Sequence, residues 1–132
     1  MNPDVGVNYM RATNLHDAAW FNKVNSLRII IQEAKVDVNA VDGVGNTPVH
    51  TACHRGSLKS LITLLKYGNT KIHGKNKDGW SLIHFAAREG HIEIIRTLLK
   101  YKANIDEGDN RLYTAMSLAA SNGRLKCVQL RE

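Results

Sequence analysis

TPVHTACHRG, residues 47–56, decides how this chain is read. His50, Cys53 and His54 stand at i, i+3 and i+4, so a helix would carry them on one face. Those residue types suit a metal site or a Cys–His nucleophile as well as a structural role. The stretch is not alone. TNLHDAAWFN begins at Thr13, SLIHFAAREG at Ser81 and TAMSLAASNG at Thr114, so the four starts lie 34, 34 and 33 residues apart. A period of that length belongs to helical repeats. Only the histidine recurs in three of the four. His16, His50 and His84 share one position, whereas Cys53 is matched by Ala19, Ala87 and Ala120, and His54 by Trp20, Arg88 and Ser121. A metal site needs three or four ligands converging on a point, so no metal is expected here. Cys53 falls at a small-residue packing position and is expected to be an inert buried thiol.

Each segment is followed by a second amphipathic run: KVNSLRIIIQE, SLKSLITLLKY, HIEIIRTLLKY and RLKCVQLRE. Polar stretches with turn residues come next, VDVNAVDGVGN, TKIHGKNKDGW and NIDEGDNRLY. In the second unit Thr47 is suited to an N-cap, Pro48 to the first helical position and Gly56 to a left-handed helix end. Leu58, Leu61, Ile62, Leu64 and Leu65 form the apolar side of the second helix, which Gly68 closes. Asp78-Gly79, like Asp42-Gly43, reads as a turn.

These residues resemble the ankyrin repeat. The family's Thr-Pro-Leu-His core stands as Thr47-Pro48-Val49-His50, with Ser81-Leu82-Ile83-His84 and Thr13-Asn14-Leu15-His16 as looser copies, and Asp37-Val38-Asn39 resembles the run before a hairpin tip. The resemblance implies an all-α repeat solenoid, each unit a helix-turn-helix plus a β-hairpin loop. About four units are expected, near 8–41, 42–75, 76–108 and 109–132, after an N-terminal extension over 1–7. It also implies that the recurrent histidine ties the helix start to neighbouring backbone. Departures are Asn22 in place of a glycine, one extra residue near Lys71 to Lys75, Ser117 in place of histidine and Leu112 in place of a turn glycine.

The 132 residues carry a formal charge of +6 and two cysteines, Cys53 and Cys127, without a CxxC motif. The charge favours acidic partners, and the cysteine usage suits a reducing compartment, cytoplasm or nucleus. No secretory signal, sequon or membrane-length apolar run is present, so no membrane association is expected. Gly43-x-Gly45 lacks the third glycine of a dinucleotide fingerprint, Pro48 standing there. Asp106, Glu107 and Asp109 read as a solvated loop. No catalytic motif occurs, and neither enzyme activity nor a cofactor is expected.

In the ankyrin family, partners bind a concave face of hairpin tips and first-helix ends. Carried over by position, the hairpins contribute Val44, Asn46, Lys77, Asp78, Trp80, Arg111 and Tyr113. The helices contribute Trp20, Phe21, His54, Arg55, Arg88, Glu89, Ser121 and Asn122. Trp20 with Phe21 reads equally as binding surface or as cover for the first edge of the stack, and Trp80 as half core. Arg55, Arg88 and Arg111 are expected to line up, with Lys71, Lys75 and Lys77 nearby, whereas Lys59, Arg96 and Lys100 face away. The expected function is a non-catalytic adaptor binding an acidic protein segment. Two alternatives are a nucleic-acid-associated subunit, using Trp80, Tyr113 and Arg111, and the repeat part of a longer protein. Leu125, Val128 and Leu130 at the last edge offer a further association surface. Asn39, preceded by an acidic residue and valine with Ile31 eight residues upstream, resembles the asparagine hydroxylated in ankyrin repeats.

Overall fold

The computed structural model describes residues 13–33 and 36–129. The expected extension over 1–7, the start of the first unit at 8, and Leu130 lie outside the described residues. Among those described, eight helices follow one another and no strand occurs: α1 (Asn14–Trp20), α2 (Val24–Glu33), α3 (Pro48–Arg55), α4 (Leu58–Tyr67), α5 (Leu82–Glu89), α6 (Ile92–Lys100), α7 (Ala115–Ser121) and α8 (Leu125–Gln129). Consecutive helices pair within each unit. The first helices stack as α1–α3–α5–α7, and the second helices as α2–α4–α6. The result is an all-α, two-layered repeat stack.

Each first helix starts in the same way. Thr47 N–H donates to Nδ1 of His50 (3.2 Å), and His50 N–H donates to Thr47 Oγ1 (3.4 Å). This is a capping box with imidazole in place of the usual carboxylate. Because Nδ1 accepts, the ring proton sits on Nε2, which donates to the Gly74 carbonyl at 3.1 Å. His16 repeats the arrangement onto Asn46 O (2.7 Å), and His84 onto Tyr113 O (3.1 Å). His16 and His84 therefore staple their helix starts to the loop of the next unit, and His50 staples its own to the loop that leads into the next unit. In the last unit Ser117 Oγ accepts from Thr114 N–H (2.8 Å), which keeps the cap.

The layers close over Leu61 and Leu64 of α4, Ile94, Ile95 and Leu98 of α6, and Leu27 of α2, all buried. Each such side chain contributes about 1.5–3 kcal/mol relative to exposure. Ala19, Cys53 and Ala87 are completely enclosed where first helices approach one another.

Further ties between units answer helix ends left unsatisfied by their own helices. Asn22, at φ +53° in the place of the repeat's glycine, accepts from Ser60 N–H (3.1 Å) and Ser60 Oγ (2.8 Å) at the start of α4. His91 Nε2 reaches the His54 carbonyl (3.0 Å), and Arg124 Nε donates to the Arg88 carbonyl (3.2 Å). Gly56 is fixed twice over: its φ is +83°, and a Cβ there would lie 2.7 Å from the His91 ring.

The loops are tight turns rather than strand pairs. Asp42 N–H donates to Asn46 O, Asn76 N–H to Trp80 O and Asp109 N–H to Tyr113 O, at 2.9, 3.0 and 2.8 Å. This register corrects the pairing of Asp42-Gly43 with Asp78-Gly79. The left-handed residues that correspond are Gly45, Gly79 and Leu112, at φ +87°, +78° and +68°. Leu112 therefore keeps a backbone that costs a non-glycine residue about 1–2 kcal/mol, and its side chain is 84% exposed.

Candidate functional site

The ends of the first helices and the loops share one face. At its middle lies Phe85 of α5, buried, in T-shaped contact with Trp80 (centroids 4.9 Å apart) and stacked on His54 (5.2 Å). His54 meets the edge of Trp20 at 5.6 Å. Trp80 also stacks on His84 at 6.2 Å. The aromatic rings thus run unbroken from the first unit to the third. Guanidinium groups cap both ends: Arg55 lies 5.1 Å from the Trp20 ring centroid, and Arg88 5.4 Å from that of Trp80. Such contacts are worth about 0.5–1 kcal/mol at exposed sites. Glu89 lies 4.0 Å from His54 Nε2 and 3.9 Å from Arg88. Burial lowers the His54 pKa, more than nearby Glu89 raises it, so this ring is neutral at pH 7.

Trp20 contacts His54 of the second unit, while Phe21 is 62% exposed. Arg55 and Arg88 occupy neighbouring positions of the repeat rather than one, and each rests on its own indole. Val44, Lys77, Asp78, Arg111 and Tyr113 are exposed along the loop tips. Asn46 is absorbed into the loop stack instead: its Oδ1 accepts from Asn76 Nδ2 (2.9 Å), and its carbonyl binds His16. Ser121 and Asn122, both exposed, donate back to the Leu118 carbonyl at 3.0 Å. Lys59, Arg96 and Lys100 are exposed on the second helices, Arg96 pairing with Glu93 at 2.7 Å.

Asp109 is not a solvated loop residue; this corrects its grouping with Asp106 and Glu107. It is buried. Its Oδ1 accepts from Arg111 N–H (2.8 Å) and Tyr113 N–H (2.9 Å), and its Oδ2 from the Trp80 indole N–H (2.9 Å). Burial works to raise its pKa, but these donors outweigh it and hold the carboxyl below its ordinary value. Glu107 forms a 2.7 Å ion pair with Lys75.

Within the opening stretch, the three candidate ligands diverge. His50 is spent on the capping box, Cys53 is enclosed in the core, and His54 belongs to the aromatic row. Burial pushes both cysteine thiols up from their ordinary pKa. Among the described residues no group of three or more His, Cys, Asp or Glu gathers as metal ligands, and no helix is long and apolar enough to cross a membrane. Asn39 Oδ1 accepts from Lys71 N–H at 3.0 Å, linking successive loops. At the last edge Leu125 is 70% exposed, Val128 half-buried and Cys127 buried.

Sequence reasoning passed over Phe85, although it is the one aromatic residue at a position held elsewhere by Asp17, Thr51 and Leu118. It also missed Asp17 and Asp42, which line a cleft beside Trp20 and Phe21. The family model described as ankyrin repeats (3 copies) matches residues 15–109 and, overlapping, 59–130. No curated protein gives a significant match.

Proposed function

The chain belongs to the ankyrin repeat family, and from that premise we propose that it is a non-catalytic adaptor holding an acidic segment of another protein along the concave face of the stack. The family supplies the general role, protein–protein interaction. The observation that carries the finer reading is the aromatic row flanked by Arg55 and Arg88. Trp and Arg are the residues that most often dominate interface energetics. Lys77 and Arg111 extend the exposed cationic groups along the loops, and a chain of formal charge +6 attracts an acidic ligand at long range. Two free buried thiols suit a reducing compartment, cytoplasm or nucleus.

Reversing both arginines tests the reading. In pull-downs from native lysate, Arg55→Glu/Arg88→Glu is expected to reduce recovery of a nuclease-resistant protein partner at least tenfold, a change equivalent to about 1.4 kcal/mol. A partner retained equally by the double variant would remove the assignment of the face. Nucleic acid as the bound species, lost steeply with salt, would replace the protein reading.

Asn39 is proposed as the hydroxylation position, on the residues around it. Its amide is tied to Lys71 N–H, so the enzyme must first loosen that loop. Incubation with an asparaginyl hydroxylase should add one oxygen to the peptide holding Asn39, and an unchanged mass would dismiss it.

A further inference from the structure

Beside α1, at the first end of the aromatic row, lies a cleft of about 470 Å³. Trp20 and Phe21 supply its apolar walls, His54 and Thr51 line its second-unit side, and Asp17 and Asp42 supply carboxylates. Asp17 is exposed and Asp42 half-buried. Among the described residues neither pairs with a cation.

The turn does not need the charge of Asp42. Its Oδ1 accepts from Val44 N–H (2.9 Å) and Asn46 N–H (3.0 Å). One unit later Asn76 does the same work with an uncharged amide, accepting from Asp78 N–H (3.0 Å) and Trp80 N–H (2.9 Å). The third loop shows what a carboxylate adds: Asp109 uses its second oxygen to receive the indole N–H of Trp80 from the preceding loop. Among the described residues, no donor reaches the second oxygen of Asp42.

We infer that this cleft seats a cationic side chain, arginine or lysine, of the bound protein. The aliphatic stem lies against Trp20 and Phe21, and the charged head donates to Asp42 and Asp17, replacing the donor that Trp80 provides in the third loop. Long basic side chains combine an apolar stem and a charged head in this way, and a guanidinium suits both aromatic faces and carboxylates. Neutral His54 adds no opposing charge, and Arg55, the cation beside the cleft, is engaged with the Trp20 ring 5.1 Å from its centroid. The inference rests on the protein-binding reading of the face and refines it. The segment carries a basic residue beside α1 and acidic residues farther along, toward Arg88 and Arg111, and this fixes its direction on the stack.

The test uses the full chain, whose two tryptophans give two indole N–H resonances, assigned by Trp20→Phe. The probes are acetyl-arginine amide and acetyl-lysine amide, with acetyl-norleucine amide and acetyl-glutamate amide as controls. The basic amides are expected to shift the Trp20 indole and the Val44 amide saturably, leaving the Trp80 indole in place. Asp17→Asn/Asp42→Asn should weaken this at least tenfold, and the Asn76 precedent keeps the turn hydrogen bonds. If that double variant loses its native amide spectrum, Asp17→Asn alone, at an exposed position, must still weaken the shift severalfold. No saturable shift, equal shifts with norleucine amide, or indifference to these variants would overturn the inference. Arg88→Glu, on the indole at the far end of the row from the cleft, separates the two readings. Retained arginine-amide binding with an unchanged protein pull-down sinks the acidic-segment reading and leaves the cleft standing. A lost pull-down without arginine-amide binding in the wild type sinks only the cleft.

Discussion

Acidification from pH 7 to pH 4 is expected to cost the fold about 3 kcal/mol through His50 alone. His50 is buried, and burial lowers its pKa from 6.5 to about 4, outweighing the carbonyls of Gly74 and Trp80 and the nearby Asp42, which raise it. The unfolded chain takes up the proton at its ordinary value, whereas the folded chain resists until about 4. Between those values the unfolded state binds more protons, so stability falls as the pH falls. Protonation would place an N–H at Nδ1 against the Thr47 N–H that it now accepts. His84, lowered by the same cause, adds to the loss. Urea unfolding at pH 7, 6, 5 and 4 reads the slope. His50→Ser is the informative comparison, because Ser117 performs the capping part of the role with a hydroxyl. That variant should be weaker at pH 7 and visibly less sensitive between pH 6.5 and 4. Parallel curves for the two proteins would refute the assignment to His50.

The imidazole role was legible because it recurs. A residue repeated at His16, His50 and His84, with varying neighbours at the other two positions, is doing something every unit needs. Helix starts were legible for the same reason, since Thr13, Thr47, Ser81 and Thr114 hold one position. What periodicity hides is the use that one unit makes of its particular neighbour. Asn22 looked like a lost glycine, yet it retains the left-handed backbone and caps α4 with its side chain. Asp109 looked like part of an acidic loop, and only its apposition to Trp80 explains its burial. The loop glycines misled in the other direction. Asp42-Gly43 and Asp78-Gly79 match as dipeptides, but the hydrogen bonds of Asp42 and Asn76 set the register two residues away.

The candidate face follows the same division. Its backbone positions are shared by all units, but its chemistry comes from residues that differ between them. Trp20, His54 and Arg88 are equivalent in sequence, and the structure gives them three different tasks: an indole wall, a neutral link between rings, and a cation resting on Trp80. A repeat scaffold can vary such residues cheaply, since each side chain on this face interacts chiefly with its own and adjacent units.

Replacing Leu64 by alanine tests whether those units stand or fall together, and it is expected to remove about 2–5 kcal/mol. Leu64 is fully buried in α4, which packs on α2 on one side and α6 on the other. The cavity therefore weakens two inter-unit contacts at once. Against a typical domain stability of about 5–15 kcal/mol, such a loss takes much of the whole. Leu125→Ala, at a 70% exposed position, should change stability by no more than about 0.5 kcal/mol. The two tryptophans make the consequence readable by fluorescence, with Trp80→Phe leaving Trp20 as reporter and Trp20→Phe leaving Trp80. If the stack is one cooperative unit, Leu64→Ala lowers both urea midpoints equally. If the nearest-neighbour contacts through α4 are the weak link, the two midpoints separate, because Trp20 reports the first unit and Trp80 the loop leading into the third. A loss below about 1 kcal/mol at both reporters would contradict the burial argument itself, since no fully enclosed leucine that leaves an unfilled cavity is so inexpensive to truncate.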